Sequence, residues 1–170
     1  MRLLRASTLL ATIACASACG DLLSLHALYT STDRVTDPTI EGTWTNDDDR
    51  VTVQRDGDGY RVVQKNIKDP TDTAAFYVRL VDLAGVRFAD LVQEDTLGHM
   101  IVRLRVADGK LRIAFLDSKW LRDRVPHEDA LIRPTQPRAV VTLRTAQLRQ
   151  LVTRYANEPK AFDEELVFHR

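Results

Sequence analysis

Cysteine is almost absent from this chain, and its placement is informative: the two present are Cys15 and Cys19. A chain cut before Cys19 keeps a single cysteine sulfur, at its first residue. That excludes an internal disulfide, a thiolate metal site and a catalytic thiol within the fold. An excess of one charge is also lacking, since 24 Lys and Arg face 24 Asp and Glu. Losing residues 1–18 removes Arg2 and Arg5 and no acid, which leaves 22 basic and 24 acidic groups, a formal charge of −2. Such a balance offers no field to collect nucleic acid and no polybasic segment for an anionic membrane surface. No apolar run reaches the roughly 20 residues that cross a bilayer.

Catalytic and metal-binding patterns are missing as well. The four histidines, His26, His99, His127 and His169, are scattered, and none has a His or Cys neighbour at metal-ligand spacing. There is no Gly-x-Ser-x-Gly elbow, and Ser24, Ser31 and Ser118 have no recognisable base nearby in sequence. Asp47-Asp48-Asp49 with Asp56 and Asp58 are the densest acidic positions, but they lack the alternating pattern and distant Glu of a calcium loop. They read as turn-forming residues. The sequence therefore points to no catalytic residue, no metal and no cofactor.

What is present begins with a basic start, Met1-Arg2-Leu3-Leu4-Arg5, and an uncharged run from Ala6 to Ala18. This is the pattern of an export signal with small residues at its exit. Ala16-Ser17-Ala18-Cys19 resembles a bacterial lipobox, with Ala16 where Leu is usual. Thr12-Ile13-Ala14-Cys15 is a second candidate. Cys19 is preferred because Cys15 leaves a very short apolar run and Gly20-Asp21 opens a polar mature sequence. The resemblance implies a leader over 1–18 and acyl chains, palmitate among them, on Cys19. At about 0.8 kcal/mol per buried methylene, two or more chains hold a protein stably on a membrane. In lipoprotein sorting, Asp directly after the lipidated Cys favours the inner membrane. Gly20 holds that place here, which implies the periplasmic face of the outer membrane in a Gram-negative cell.

Residues 19–39 read as a tether in which Leu22, Leu23, Leu25 and Leu28 can dock on a body formed by residues 40–170. Apolar residues at 44% and charged residues at 28% suit one folded domain. From Ile40 the pattern alternates with period two: 40–45, 50–54, 60–65, 74–83, 86–93, 100–106 and 111–115 each read as a strand. Asp56-Gly57-Asp58-Gly59, Ala84-Gly85 and Asp108-Gly109 supply hairpin turns. Asp117 or Ser118 caps a short helix to about Val125, and Pro126 ends it. Residues 139–143 form another strand. Thr145 caps an amphipathic helix to about Asn157, with Leu148, Leu151, Val152 and Tyr155 on one stripe. Phe162 and Leu166-Val167-Phe168 are a final anchor or edge strand. The expected fold is mainly β with α (α+β): an antiparallel meander or partly closed barrel, one short helix and a C-terminal amphipathic helix.

Gly42-Thr43-Trp44 followed by a hairpin meander resembles the opening of lipocalin-type barrels. Leu25-His26-Ala27-Leu28-Tyr29, Gly42-Thr43-Trp44, Leu116-Asp117-Ser118-Lys119-Trp120-Leu121 and Leu143-Arg144-Thr145-Ala146-Gln147-Leu148 together resemble a group of uncharacterised bacterial lipoproteins. This likeness implies a shared architecture and no activity.

Two kinds of binding follow from these patterns. Trp44, Phe76, Phe88 and Phe115 are candidates to line a cavity for a small apolar ligand inside a barrel. Arg79, Arg87, Arg103, Arg105 and Arg112 alternate with core residues, so they are expected on the outer sheet face, where a basic stripe meets an acidic partner. The expected function is that of a non-enzymatic, lipid-anchored envelope protein that binds a protein or small apolar ligand. The alternative is a structural or docking subunit of an envelope complex, and an envelope hydrolase has the least support.

Overall fold

The hairpin turns set the architecture. Ala84-Gly85 and Asp108-Gly109 hold positive φ at both residues, 52° and 75° in the first and 54° and 69° in the second. Two successive left-handed residues give the turn whose twist matches that of the flanking strands, and Gly at the second place carries it without steric cost. Each turn therefore joins its neighbours as a tight antiparallel pair. The computed structural model describes residues 22–94, 96–124, 130–132 and 139–170. The expected leader and both cysteines lie outside the described residues, as do Val125, Pro126 and His127.

The strands in chain order are β1 (Leu22–Ser24), β2 (Arg34–Val35), β3 (Gly42–Thr45), β4 (Asp49–Asp56), β5 (Gly59–Asn66) and β6 (Thr73–Leu83). They continue with β7 (Val86–Gln93), β8 (Met100–Ala107), β9 (Lys110–Phe115), β10 (Ala130–Ile132), β11 (Ala139–Val141) and β12 (Leu166–His169). Two short α-helices are α1 (Ser118–Arg122) and α2 (Thr145–Tyr155). β3 to β9 run as a meander, each pairing antiparallel with the next. β12 then inserts antiparallel between β9 and β3 and closes an eight-stranded barrel.

Closure corrects two expectations. The barrel is closed, not partly closed, and the last segment is its closing strand, not an edge. β12 meets β3 at one register pair, His169 with Thr45. The Arg170 guanidinium reinforces this thin seam, donating to the carbonyls of Thr39 (2.9 Å) and Glu41 (3.2 Å) over the Trp44 ring. α2 is followed by a 3-10 turn, Pro159–Ala161, and then β12, so it is an internal element.

Two separate cores result. Alternate side chains of the meander point into the barrel, where Trp44, Tyr60, Phe76, Leu80, Val102 and Phe168 are buried together. The opposite face of β6 to β9 contributes Val81, Phe88, Ile101 and Ala114 to a second core outside the barrel wall. An outer layer covers them. It contains the sheet β1-β11-β10, with β1 parallel to β11, and helix α2, which buries Leu148 and Val152. α1 adds Leu121. Asp117 caps α1 as expected, its carboxylate accepting from Lys119 N–H at 2.7 Å and Trp120 N–H at 2.8 Å. For α2 the cap is Arg144, not Thr145, and its N–H donates to the Gln147 side chain at 3.1 Å.

Residues 22–40 meet the barrel at Ser24, at Leu28 and along β2. β2 extends the edge of β6 beyond the end of β5, with Arg34 opposite Val81. A 3-10 turn at Pro38–Ile40 leads into β3. Leu22 and Leu28 are buried, whereas Leu25 is exposed.

Candidate functional site

Arginine placement on β8 and β9 defines the most distinctive surface. Met100, Val102, Leu104 and Val106 belong with the lumen core, so Arg103 and Arg105 point outward. On β9 the same alternation turns Arg112 outward, and the register sets Arg105 directly opposite Arg112. Like charges in facing positions of an antiparallel pair destabilise it. Glu165 is the carboxylate shared between Arg103, at 3.8 Å, and Arg112, at 3.7 Å. Both distances exceed hydrogen-bonding range. Arg103 also stacks on the Phe162 ring, 4.5 Å from its centroid.

These arginines face a groove of about 490 Å³. It opens where two strands part. Register pairing of β7 with β8 stops at Phe88 with Arg103, although β7 begins at Val86 and β8 continues to Ala107. Val86 and Arg87 form one wall, and Arg103, Arg105 and Arg112 line the other. Arg87 is a correction to the sequence reading. It shares the register side of Ala89, which is in the lumen core, and sits at the barrel rim bound to Asp82 and, at 2.9 Å, to Asp37. Its hydrogen bond to Asp82 raises its pKa against the effect of burial, and the charges of Asp82 and Asp37 add to this. Burial pushes the Asp37 carboxyl up. Hydrogen bonds from the Thr39 hydroxyl and N–H, together with Arg87, outweigh this and hold it below the ordinary value. The Arg87 side is thus internally neutralised. The Arg103, Arg105 and Arg112 side has a cationic surplus, which suits it to an anionic group.

A second polar cluster lies under the outer layer. Asp90 is fully buried within the otherwise apolar run from Phe88 to Val92, on the same face as Phe88. Its carboxylate accepts from Leu28 N–H at 2.6 Å and meets His99 Nδ1 at 2.6 Å. Ser24 and His99 form an isolated antiparallel bridge, each N–H donating to the other's carbonyl at 2.8 Å. Serine, histidine and aspartate are therefore neighbours, but the Ser24 hydroxyl donates to the His26 carbonyl at 2.7 Å. Arg149 of α2 completes the arrangement, donating to the Leu28 carbonyl at 2.9 Å and pairing with Asp33. The cluster fastens residues 22–33 to the barrel wall and to α2. Sequence reasoning overlooked it, although an Asp inside Phe88-Ala89-Asp90-Leu91-Val92 was a visible signal.

The aromatic residues expected around a cavity are divided. Trp44 and Phe76 are buried in the lumen and Phe115 packs half-buried against them. Phe88 faces the other way and stacks near Phe162, with ring centroids 5.9 Å apart. The acidic turns are not assembled. Asp48 pairs with Lys68, and Asp58 pairs with Arg79 at 3.0 Å and with Arg34. Among the described residues no three His, Cys, Asp or Glu side chains are placed to hold a metal. In comparison with known proteins, the chain matches no family model, no curated protein and no solved structure.

Proposed function

We propose that this chain is a lipid-anchored protein of the cell envelope, non-enzymatic, that docks an acidic protein partner in the arginine groove. The observation that carries the reading is the facing pair Arg105 and Arg112, with Arg103 beside them and Glu165 beyond hydrogen-bonding range of Arg103 and Arg112. A like-charge pair held in register is costly for the sheet, and an incoming carboxylate relieves that cost. Bidentate guanidinium–carboxylate contacts supply affinity and orientation together. Burial of Trp44, Tyr60 and Phe76 inside the barrel supports docking over a small apolar ligand in the lumen.

The test is binding of polyglutamate to the purified chain. Binding is expected to weaken as salt rises and to be lost in Arg105→Glu/Arg112→Glu. Equal binding by that variant overturns the reading. The anchor has its own test: Cys19→Ala is expected to release a folded protein from membranes, and continued dependence on detergent contradicts lipidation at Cys19.

A further inference from the structure

Strand directions give the barrel two unlike ends. The tight turns at 57–58, 84–85 and 108–109 lie at one end, together with the arginine groove. The longer connections at 46–48, 67–72 and 94–99 lie at the other. Among the described residues, three of the four large apolar side chains that stand exposed belong to the loop end. Leu97 is 94% exposed, Leu25 52% and Ile67 44%. The antiparallel bridge between Ser24 and His99 sets Leu25 across from Gly98, the neighbour of Leu97 in the chain. Leu23 lies against Gly98, where an added Cβ would stand 3.3 Å from the Leu23 Cβ.

A single exposed leucine is ordinary on a protein surface. Two of these, however, Leu25 and Leu97, lie within two residues of the bridge that fastens β1, near where the described chain begins. Cys19 is three residues before Leu22, a span of roughly 10 Å at full extension. We infer that the loop end rests on the bilayer surface through Leu25 and Leu97, so that the arginine groove faces away from the membrane; this rests on lipidation of Cys19. The surface is expected to be zwitterionic, because the exposed Asp47, Asp69 and Asp72 on loops of the same end repel anionic headgroups. An acyl anchor alone permits any tilt. Two apolar side chains beside it fix one end against the lipid and hold the groove where a partner can reach it.

The lipidated full chain, reconstituted in phosphatidylcholine vesicles, tests this. With Cys19 in thioether linkage, Leu97→Cys and Asp56→Cys each introduce one free thiol for a fluorescent label, the second at the turn end. Intact mass and flotation with vesicles first establish acylation. The expected result is several-fold stronger quenching by spin-labelled lipid at position 97 than at position 56. Equal quenching at both positions, or none at either, in acylated protein that floats overturns the seating and leaves lipidation standing. Unacylated protein that does not float overturns the lipidation reading, and the seating falls with it.

Discussion

The two cores are built on different terms. Inside the barrel, packing is apolar, and its largest polar groups point toward one short segment. The Trp44 indole N–H donates to the Ile40 carbonyl at 2.7 Å, and the Tyr60 hydroxyl accepts from Asp37 N–H at 2.6 Å. Outside the wall, pieces distant in sequence come together: residues 22–28, the segment from Leu116 to Phe162, and the outward faces of β6 to β9. That core contains the buried Asp90, joined to Leu28 and His99. The meander fixes its own register through turns and alternation, so its interior needs only volume. An apolar layer laid on a sheet can slide, and directional hydrogen bonds in a low-dielectric site select one placement. The lumen thus supplies stability, and the polar lock outside gives the outer layer its position.

The sharpest way to break this comparison is Trp44→Ala. Loss of a fully buried indole from the lumen is expected to cost about 3–5 kcal/mol, read from denaturant unfolding of the whole domain. A loss near zero would mean that the lumen is not the stabilising core. Asp90→Asn comes next, at about 1–3 kcal/mol, because one carboxylate oxygen becomes an NH2 and the charge-assisted bond to Leu28 N–H becomes a neutral one, while His99 Nδ1 must then accept where it faced an oxygen. Its effect should be local. Hydrogen exchange at Leu28 is expected to accelerate while the amide of Val53 in β4 keeps its protection. Equal acceleration at both sites would make Asp90 part of the global fold, not a lock on the outer layer.

The same contrast explains what was legible in the sequence. β5 to β9 follow from period-two patterns and from Asp-Gly and Ala-Gly turns, all of which act between neighbours. β12 was visible as Leu166-Val167-Phe168, but its role was not, since closing a barrel depends on a partner as distant as Thr45. β1 and β10 are three residues each, too short for any periodicity. In β6, Leu80, Val81 and Leu83 are all buried because the outer layer covers that end of the strand. Arg103, Arg105 and Arg112 were legible as an outward stripe. Arg87 was not, because alternation assigns a residue to a face without saying where the barrel rim lies or that Asp82 and Asp37 wait there.

Smaller effects sharpen the comparison at the groove. Arg105→Glu replaces a facing like-charge pair with an opposite-charge pair, so stability is expected to rise by about 0.2–1 kcal/mol while polyglutamate binding falls. Most surface substitutions change one property. A gain in stability coupled to a loss of binding would identify the arginine pair as kept for recognition at the expense of the sheet. Unchanged stability with lost binding would show that the two guanidinium groups avoid each other in solution.

The smallest expected effect concerns Asp37, which joins the rim to the segment beneath Tyr60. Its carboxyl is held below the ordinary 3.8 by the Thr39 hydrogen bonds and Arg87, despite the opposing effect of burial. A carboxylate with a depressed folded-state pKa contributes stability that is complete above the unfolded value, and this is lost as pH falls through the folded value. Asp37→Asn is therefore expected to be less stable than the parent at neutral pH by roughly a few tenths of a kcal/mol, as for an ion pair near the surface. The gap should close below the ordinary carboxylate range, where both proteins carry a neutral group at this position. The buried Tyr60 hydroxyl accepts the Asp37 backbone N–H and not its side chain, so it keeps that bond in the variant. Melting curves taken from neutral pH down to the acid limit of folding measure the gap. A gap that persists at the acid end would assign the contribution of Asp37 to its shape and hydrogen bonds and not to its charge.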